Sequence, residues 1–579
     1  MPDPTLVSIS AGVRARCGWQ ATDCLLHLFF QYFFAFLRIF LIFIGVRKRL
    51  DAKISGAYNV DMDTSNLTHN IIDLQNGAPL SAASCYRVLA ARDARFDGVF
   101  FTGVKTTGIY CRPICAAKTP KASSCTFFGS AAAAEAAGFR PCLRCRPELA
   151  PYALQQNLAY AVWQRIAAGA LNDGNIEHLA AEVGLSSRQL RRVLLQHFGV
   201  TPVELAQTQR LLFAKKLLQE TAMPMSEIAY AAGFGSIRRF NALFLTRYGI
   251  APIDIRRAPV TGTPAAMIDA GTITLRLAYR PPYAWQQILR YLATRAVPNV
   301  EAVDQDEKGN LFYARSVRIG KHEGWLQISQ SARADEKHQL ELSLSSALSP
   351  VLMPLLVRVR EQFDLDANPE VIAAHLSTDP LLAAQIKRIP GWRVPGAFDT
   401  FELAIRALLG QQVSVAGAST LCGRLVTGFG DRTTMPPDGG IAKRSLNITH
   451  HFPTPLRLAA AETKDIAAIG LPKARAEAIC NLAHFAAQGG LQMKPGTTLD
   501  QAVAQLKTVK GIGEWTAQYI AMRALRFPDA FPAGDLGLQK AVSTRDAARA
   551  TEKQLLARAT GWSPWRAYAA LLLWHSLAE

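Results

Sequence analysis

The stretch LKTVKGIGEWTAQYIAMRAL, residues 506–525, sets a run of helical periodicity on either side of Gly511 and Gly513. Two glycines this close mark a hairpin between helices. Without side chains at those positions, backbone N–H groups can approach a phosphate, and the next helix adds the positive end of its dipole. A lone GxG is a weak signal. Here FPAGDLGLQKAV (531–542) follows and places one acid, Asp535, in an otherwise apolar run. A carboxylate repels phosphate, so a module that only docks on a duplex has no reason to keep one beside such a hairpin.

Outward from the hairpin, helical periodicity continues through VPGAFDTFELAIRALLGQQVSVAGA (394–418), FPTPLRLAAA (452–461) and WSPWRAYAALLLWH (562–575). Together with the hairpin and the acid, these stretches resemble the helix-hairpin-helix DNA glycosylases, in particular the AlkA-like 3-methyladenine DNA glycosylase II, over most of 270–579. The resemblance implies an all-α glycosylase core at 381–579. A mixed α/β (TBP-like) domain should precede it at 266–380, where ITLRLAY, WLQIS and HQLELSL alternate as strands do. The implied reaction is hydrolysis of the N-glycosidic bond of alkylated bases of the 3-methyladenine and 7-methylguanine type. Asp535 would stabilise positive charge on the sugar and help to activate water. Trp515, Tyr519 and Trp574 match positions lining the flipped-base pocket, where electron-rich rings suit a cationic base; each alone reads equally well as core packing.

The resemblance also implies phosphate contacts at Gly511 and Gly513, a DNA wedge at Gln412, and a monovalent cation on the carbonyls of Lys507, Val509 and Gly511. Relatives that cut the strand carry a Lys two residues after the GxG. Trp515 stands there, so a monofunctional enzyme is expected. Departures are Lys510 in place of a frequent Pro, Gly534 where close relatives have a second carboxylate, and His575 where a Tyr can occur.

Toward the N-terminus, Cys111-x3-Cys115 and Cys142-x2-Cys145 stand 26 residues apart, the spacing of a tetrahedral four-cysteine site for one Zn²⁺. By itself the pattern equally describes a zinc knuckle holding together a domain too small to bury a core. The surrounding FDGVFFTGVKTTGIYCRPIC (96–115) and AAGFRPCLRCRPE (136–148) resemble the Ada-type domain that senses methylated DNA. That resemblance implies a zinc domain at 80–150 whose Cys111 takes a methyl group from a DNA methyl phosphotriester. Losing one thiolate charge would then raise affinity for DNA. Arg112, Arg140, Arg144 and Arg146 read either as phosphate contacts or as solvated charge, and Cys85 and Cys125 as structural.

GLSSRQLRRVLLQHFGVTP (184–202) is echoed by GFGSIRRFNALFLTRYGIAP (233–252), an internal repeat in which a turn glycine joins two helices. Ser186 and Ser236 are expected as N-caps of the second helices. The pair resembles the AraC-type regulator domain, with two helix-turn-helix units over 151–258. It implies base and phosphate contacts from Arg188, Arg191 and Arg192 in one unit and from Arg238, Arg239 and Asn241 in the other. The alternative is a solvated basic helix face.

Composition agrees with several modules and a polyanionic partner: 579 residues, a net charge of +19, 49% hydrophobic residues and ten cysteines. These figures exclude wholesale disorder and a disulfide scaffold. The apolar segment 24–46, within an extension at 1–79, is long enough to span a bilayer, but His27, Gln31 and Arg38 interrupt it. A start at Met62 is the preferred expectation and a membrane anchor the lesser one. The whole reads as a multidomain, mainly α chain with α/β parts. It is expected in the cytoplasm with the nucleoid, with alkylated and methyl-phosphotriester-bearing double-stranded DNA, promoter DNA and RNA polymerase as the implied partners. A transcription factor carrying a catalytically silent glycosylase-like module is the alternative. No Pro-Cys-His-Arg motif occurs, so O6-alkylguanine transfer is not expected.

Overall fold

The computed structural model describes residues 80–151, 158–172, 174–257, 271–331, 338–433, 446–543 and 548–577. The expectations for 1–79, including segment 24–46 and Met62, lie outside these residues. No helix among the described residues is long and apolar enough to cross a membrane.

The first module is a small four-stranded sheet, ordered β3-β1-β2-β4, from β1 (Phe101–Val104), β2 (Ile109–Cys111), β3 (Cys125–Phe128) and β4 (Arg140–Pro141). Its inner residues Phe101, Tyr110 and Phe128 pack under the alanine-rich helix Ala131–Ala136. That core is small. β4 runs parallel to β2, and the Cys142 N–H donates to the Tyr110 carbonyl at 3.0 Å, which brings the two cysteine pairs together.

Next come two helix-turn-helix units, Ile176–Glu182 with Ser187–Phe198 and Met225–Ala231 with Ile237–Tyr248, joined by the long helix Pro202–Glu220. The repeat is structural as well as sequential. Leu190, Leu194 and Phe198 in one second helix and Phe240, Phe244 and Tyr248 in the other are buried at the same i, i+4, i+8 positions. At Gly233 the backbone is left-handed (φ +80°) and a Cβ would meet the Asn172 side chain at 2.2 Å, so this turn requires glycine.

Five antiparallel strands follow in the order β5-β9-β8-β7-β6: β5 (Thr272–Ala278), β6 (Glu301–Gln305), β7 (Leu311–Ile319), β8 (His322–Gln330) and β9 (Gln339–Ser345). The helix Trp285–Ala293 lies between β5 and β6 and buries Trp285, Ile288, Leu289 and Leu292. From Leu352 onward the described elements are helices, apart from isolated β-bridges at Arg432, Ile448 and His450. The helix Thr400–Leu409 is almost wholly buried, and its i, i+3, i+4 apolar residues face helices Lys473–Ala487 and Glu514–Arg523.

Buried charges join the zinc module to its neighbours. The Lys215 Nζ on the long helix donates to Glu148 (2.7 Å) and to the Cys142 carbonyl, and Lys216 pairs with Glu220 (2.9 Å). Arg112 and Arg146, read above as candidate phosphate contacts, turn inward instead. Arg112 forms a bidentate pair with Asp97, and Arg146 bridges Glu148 and Glu220. The reason is burial: a guanidinium removed from water needs a carboxylate, and both residues have one. Arg140 and Arg144 remain exposed.

Candidate active site, metal centre and DNA-facing helices

Asp535 is the N-cap of the helix Leu536–Ala541, and its Oδ1 accepts from the Leu538 N–H at 2.9 Å. Two indoles complete its hold. Trp574 Nε1 donates to Oδ1 at 2.9 Å and Trp515 Nε1 to Oδ2 at 3.0 Å. The three aromatic residues expected at a base pocket therefore gather at the acid. Trp515 stacks on Tyr519 with ring centroids 5.4 Å apart and planes 10° apart, and Tyr519 lies 6.1 Å from Trp574. Gly537 keeps the neighbouring space open, since a Cβ there would sit 2.9 Å from the Asp535 Oδ1.

Several contributors were not anticipated. Arg523 is buried behind the aromatic rings and donates to the Tyr519 hydroxyl (3.0 Å) and the Tyr291 hydroxyl (2.6 Å). Its place was legible, because Trp515, Tyr519 and Arg523 recur every fourth residue along one helical stripe. Tyr291 comes from the helix Trp285–Ala293, far away in sequence, and no local pattern announces it. Burial pushes its phenol pKa up, but the guanidiniums of Arg295, Arg523 and Arg406 outweigh that and bring it below the ordinary value. Burial raises the pKa of Tyr519, with Tyr291 adding to the rise.

The hairpin glycines divide their work. Gly511 is left-handed (φ +104°), and a Cβ there would lie 2.3 Å from that of Ala478, so the fold itself needs it. Gly513 has ordinary backbone angles, caps the helix Glu514–Arg523, and faces open space in which a phosphate could approach. Gln412 stands exposed in the turn between helices Thr400–Leu409 and Val415–Phe429 with φ +57°, while Gln411 ties that turn to the hairpin through Thr516 (3.0 Å).

At the cysteine cluster, the Sγ atoms of Cys111, Cys115, Cys142 and Cys145 all lie within 4.8 Å of one another. A tetrahedron with Zn–S bonds of about 2.3 Å has edges of about 3.8 Å, so the four sulfurs fit one Zn²⁺. Backbone donors surround them. The Arg112 N–H reaches the Cys145 Sγ (3.4 Å), and the Cys145 N–H reaches the Cys142 Sγ (3.5 Å). Cys85 and Cys125 stand apart from the cluster, and burial pushes the Cys85 thiol up to about 12.

In the helix-turn-helix units, Ser186 and Ser236 cap the second helices as expected, Ser186 in a full capping box with Gln189. Arg188, Arg191, Arg192, Arg238, Arg239 and Asn241 are all exposed on those helices.

Comparison with known families agrees with this layout. Residues 84–148 match the metal binding domain of Ada, 179–258 a helix-turn-helix domain, 274–399 the AlkA N-terminal domain, and 405–567 the HhH-GPD superfamily of base excision DNA repair proteins. A protein of Mycobacterium tuberculosis named "Probable bifunctional transcriptional activator/DNA repair enzyme AlkA" is 37% identical over 497 residues, which covers 85% of this chain and 96% of that protein. DNA-3-methyladenine glycosylase 2 of Escherichia coli is 37% identical over 301 residues, 52% of this chain and 96% of the relative. The activator/DNA repair enzyme AdaA of Bacillus subtilis is 30% identical over 189 residues, 32% of this chain and 87% of the relative. The chain belongs to the family of bifunctional transcriptional activator/DNA repair enzymes that join an Ada-type metal-binding domain and a helix-turn-helix domain to an AlkA-type glycosylase.

Proposed function

We propose that the protein excises alkylated bases, of the 3-methyladenine and 7-methylguanine type, from double-stranded DNA and that its N-terminal half senses methyl phosphotriesters and activates transcription. The observation that carries the enzymatic reading is Asp535, a carboxylate held by two indole N–H groups and a helix N-terminus beside stacked aromatic rings. Hydrolysis of an N-glycosidic bond places positive charge on the sugar, and a fixed carboxylate stabilises that charge. Trp515, Tyr519 and Trp574 offer faces for a flipped base, Gln412 fills the gap it leaves, and Gly511 and Gly513 with Lys510 approach the backbone phosphates. With Trp515 in the position of a Schiff-base Lys, the product is an abasic site in an uncut strand. The carbonyls of Val509 and Gly511 each engage an internal donor and keep a second lone pair, which together with Lys507 suits a monovalent cation.

Cys111 is the methyl acceptor in this reading. Bound Zn²⁺ keeps the four sulfurs ionised at neutral pH. Hydrogen bonds to a thiolate blunt its nucleophilicity; Cys142 and Cys145 each take one from a backbone N–H, of Cys145 and Arg112 respectively, and Cys115 is buried. Among the described residues no backbone N–H donates to the Cys111 sulfur as one does to those of Cys142 and Cys145, and the residue is partly exposed. Attack by sulfur on the methyl carbon breaks the carbon–oxygen bond and leaves an ordinary phosphodiester, whose negative charge meets a less anionic protein surface. Arg188, Arg191, Arg192, Arg238, Arg239 and Asn241 then read promoter DNA, RNA polymerase is the partner to be activated, and the protein works on the nucleoid in the cytoplasm. The test is incubation with methylated duplex DNA. Free 3-methyladenine, an uncut strand and one methyl group on the Cys111 peptide are expected. A strand cut without added base, or methyl on another cysteine, would overturn the respective assignment.

A further inference from the structure

Two helix-turn-helix units joined by one long helix can still twist against each other, so whatever fixes their register decides which spacing of DNA sites they fit. In this chain a third body touches both. The short helix Ala131–Ala136 of the zinc module reaches each unit at the last turn of its second helix. At its start the Ser130 hydroxyl donates to the Phe198 carbonyl at 3.4 Å. Toward its end Glu135 stands 3.5 Å from the Arg247 guanidinium, and Arg140, on β4, donates to the Tyr248 carbonyl at 3.4 Å. Phe198 and Tyr248 hold equivalent places in the repeat, each the final residue of its helix. Carbonyls in the last turn of a helix lack an intrahelical partner, and a cation beside them also meets the negative end of the helix dipole. The connecting helix is tied in as well: Thr208 donates to one Glu135 oxygen at 3.0 Å and Tyr110 of β2 to the other at 3.1 Å. Apolar packing accompanies these bonds, with Ala132 in the core of the first unit and Leu212 of the connecting helix in that of the zinc module.

We propose that the zinc module is a clamp that sets the register of the two recognition helices, with Ser130, Glu135 and Arg140 as positioning residues, so that the sensing domain also dictates the spacing of promoter half-sites. The assignment rests on the reading above in which both helices contact promoter DNA. By touching the first unit, the second unit and the helix between them, the module closes a triangle and removes the freedom to twist. One base pair added between half-sites moves the second by about 3.4 Å and turns it by about 35°. A clamped pair of helices meets that shift with lost contacts, whereas a loose pair follows it but must be ordered each time it binds. Arg140 acts through the helix whose end it holds, not on a phosphate. The clamp is rooted beside the methyl acceptor, since Tyr110 immediately precedes Cys111 on β2.

The experiment uses full-length protein and a duplex that wild type selects from a random-sequence pool, rebuilt with base pairs inserted or removed between the two stretches it protects. Wild type, Arg140→Ala, Ser130→Ala and the double variant are compared on this series and on a duplex carrying a single half-site. Wild type is expected to favour the selected spacing about tenfold, and the double variant only about twofold, with affinity for the single half-site unchanged. Ser130 also caps its own helix, so Arg140→Ala, at an exposed position, decides the matter if the Ser130 variants lose their fold; alone it should bring the preference down to about fourfold. Arg140→Lys, which keeps a cation at the helix end, should restore part of the preference. An undiminished preference in Arg140→Ala and in the folded double variant overturns the clamp. So does uniform weakening of Arg140→Ala across the series, single half-site included, with the slope of log K against log salt lower by about 1, the signature of a phosphate contact. If wild type enriches no sequence, the promoter reading itself fails; if it enriches one and tolerates every spacing equally, the clamp fails while that reading stands.

Discussion

The carboxylate of Asp535 is held at three points, and each of them can be tested separately. Trp574→Phe keeps the ring and removes the 2.9 Å hydrogen bond to Oδ1. A hydrogen bond to a charged group contributes about 1.5–3 kcal/mol, so kcat for base release should fall on the order of tenfold, with KM little changed if the ring still packs. Asp535 and its aromatic neighbours were legible because they are close in sequence or lie on recognisable motifs. Tyr291 was not, since its contribution depends on how a helix from the α/β module packs against the glycosylase core. Arg112 and Arg146 were misjudged for a similar reason. Sequence shows a charge, but only the fold shows that Asp97, Glu148 and Glu220 wait for it.

Among the elements, the helices Ser187–Phe198 and Ile237–Tyr248 are the ones whose sequence carried most of their structure: turn glycine, serine cap, buried i, i+4, i+8 stripe and exposed arginines. Ser186→Ala removes a capping box and should cost about 1 kcal/mol, read as a lower midpoint in urea unfolding. Arg191→Ala leaves the cap in place. If Arg191 meets a phosphate, binding should weaken on all sequences and the slope of log K against log salt should fall by about 1; if it reads a base, the loss should be confined to the operator. An unchanged slope and unchanged affinity would return this residue to plain solvated charge. The helix Trp285–Ala293 carries a helical pattern, with Trp285, Ile288, Leu289 and Leu292 at i, i+3, i+4 and i+7, but the flanking segments alternate as strands do and dominate the reading of the stretch.

For the whole molecule, the modules share buried ionisable groups, and pH should report on them. Glu135 of the zinc module accepts from Tyr110 (3.1 Å) beside Cys111 and from Thr208 (3.0 Å) on the long helix, with Arg247 of the second helix-turn-helix unit at 3.5 Å. Burial pushes its carboxyl up to about 7 from an ordinary 4.5, despite the opposing pull of Arg247. The folded chain therefore holds a proton that the unfolded chain has lost. That stability is full below the unfolded value and drains away as pH rises toward 7. The wild-type Tm should decline between about pH 5 and pH 8, and Glu135→Gln should flatten the decline, by up to about 3 kcal/mol at the alkaline end. Parallel declines in the two proteins would show that other groups set the pH dependence. Such junctions between modules are invisible in composition, although the +19 charge and the order of the modules could be read directly. Base excision by this protein depends on one acid, and the most direct measurement is single-turnover base release from a duplex carrying one 3-methyladenine, by wild type and by Asp535→Asn. Release by wild type, a loss of at least about a hundredfold in the variant and unchanged DNA affinity are the predicted result. Equal release by both proteins, or none by either while both bind the duplex, would contradict it.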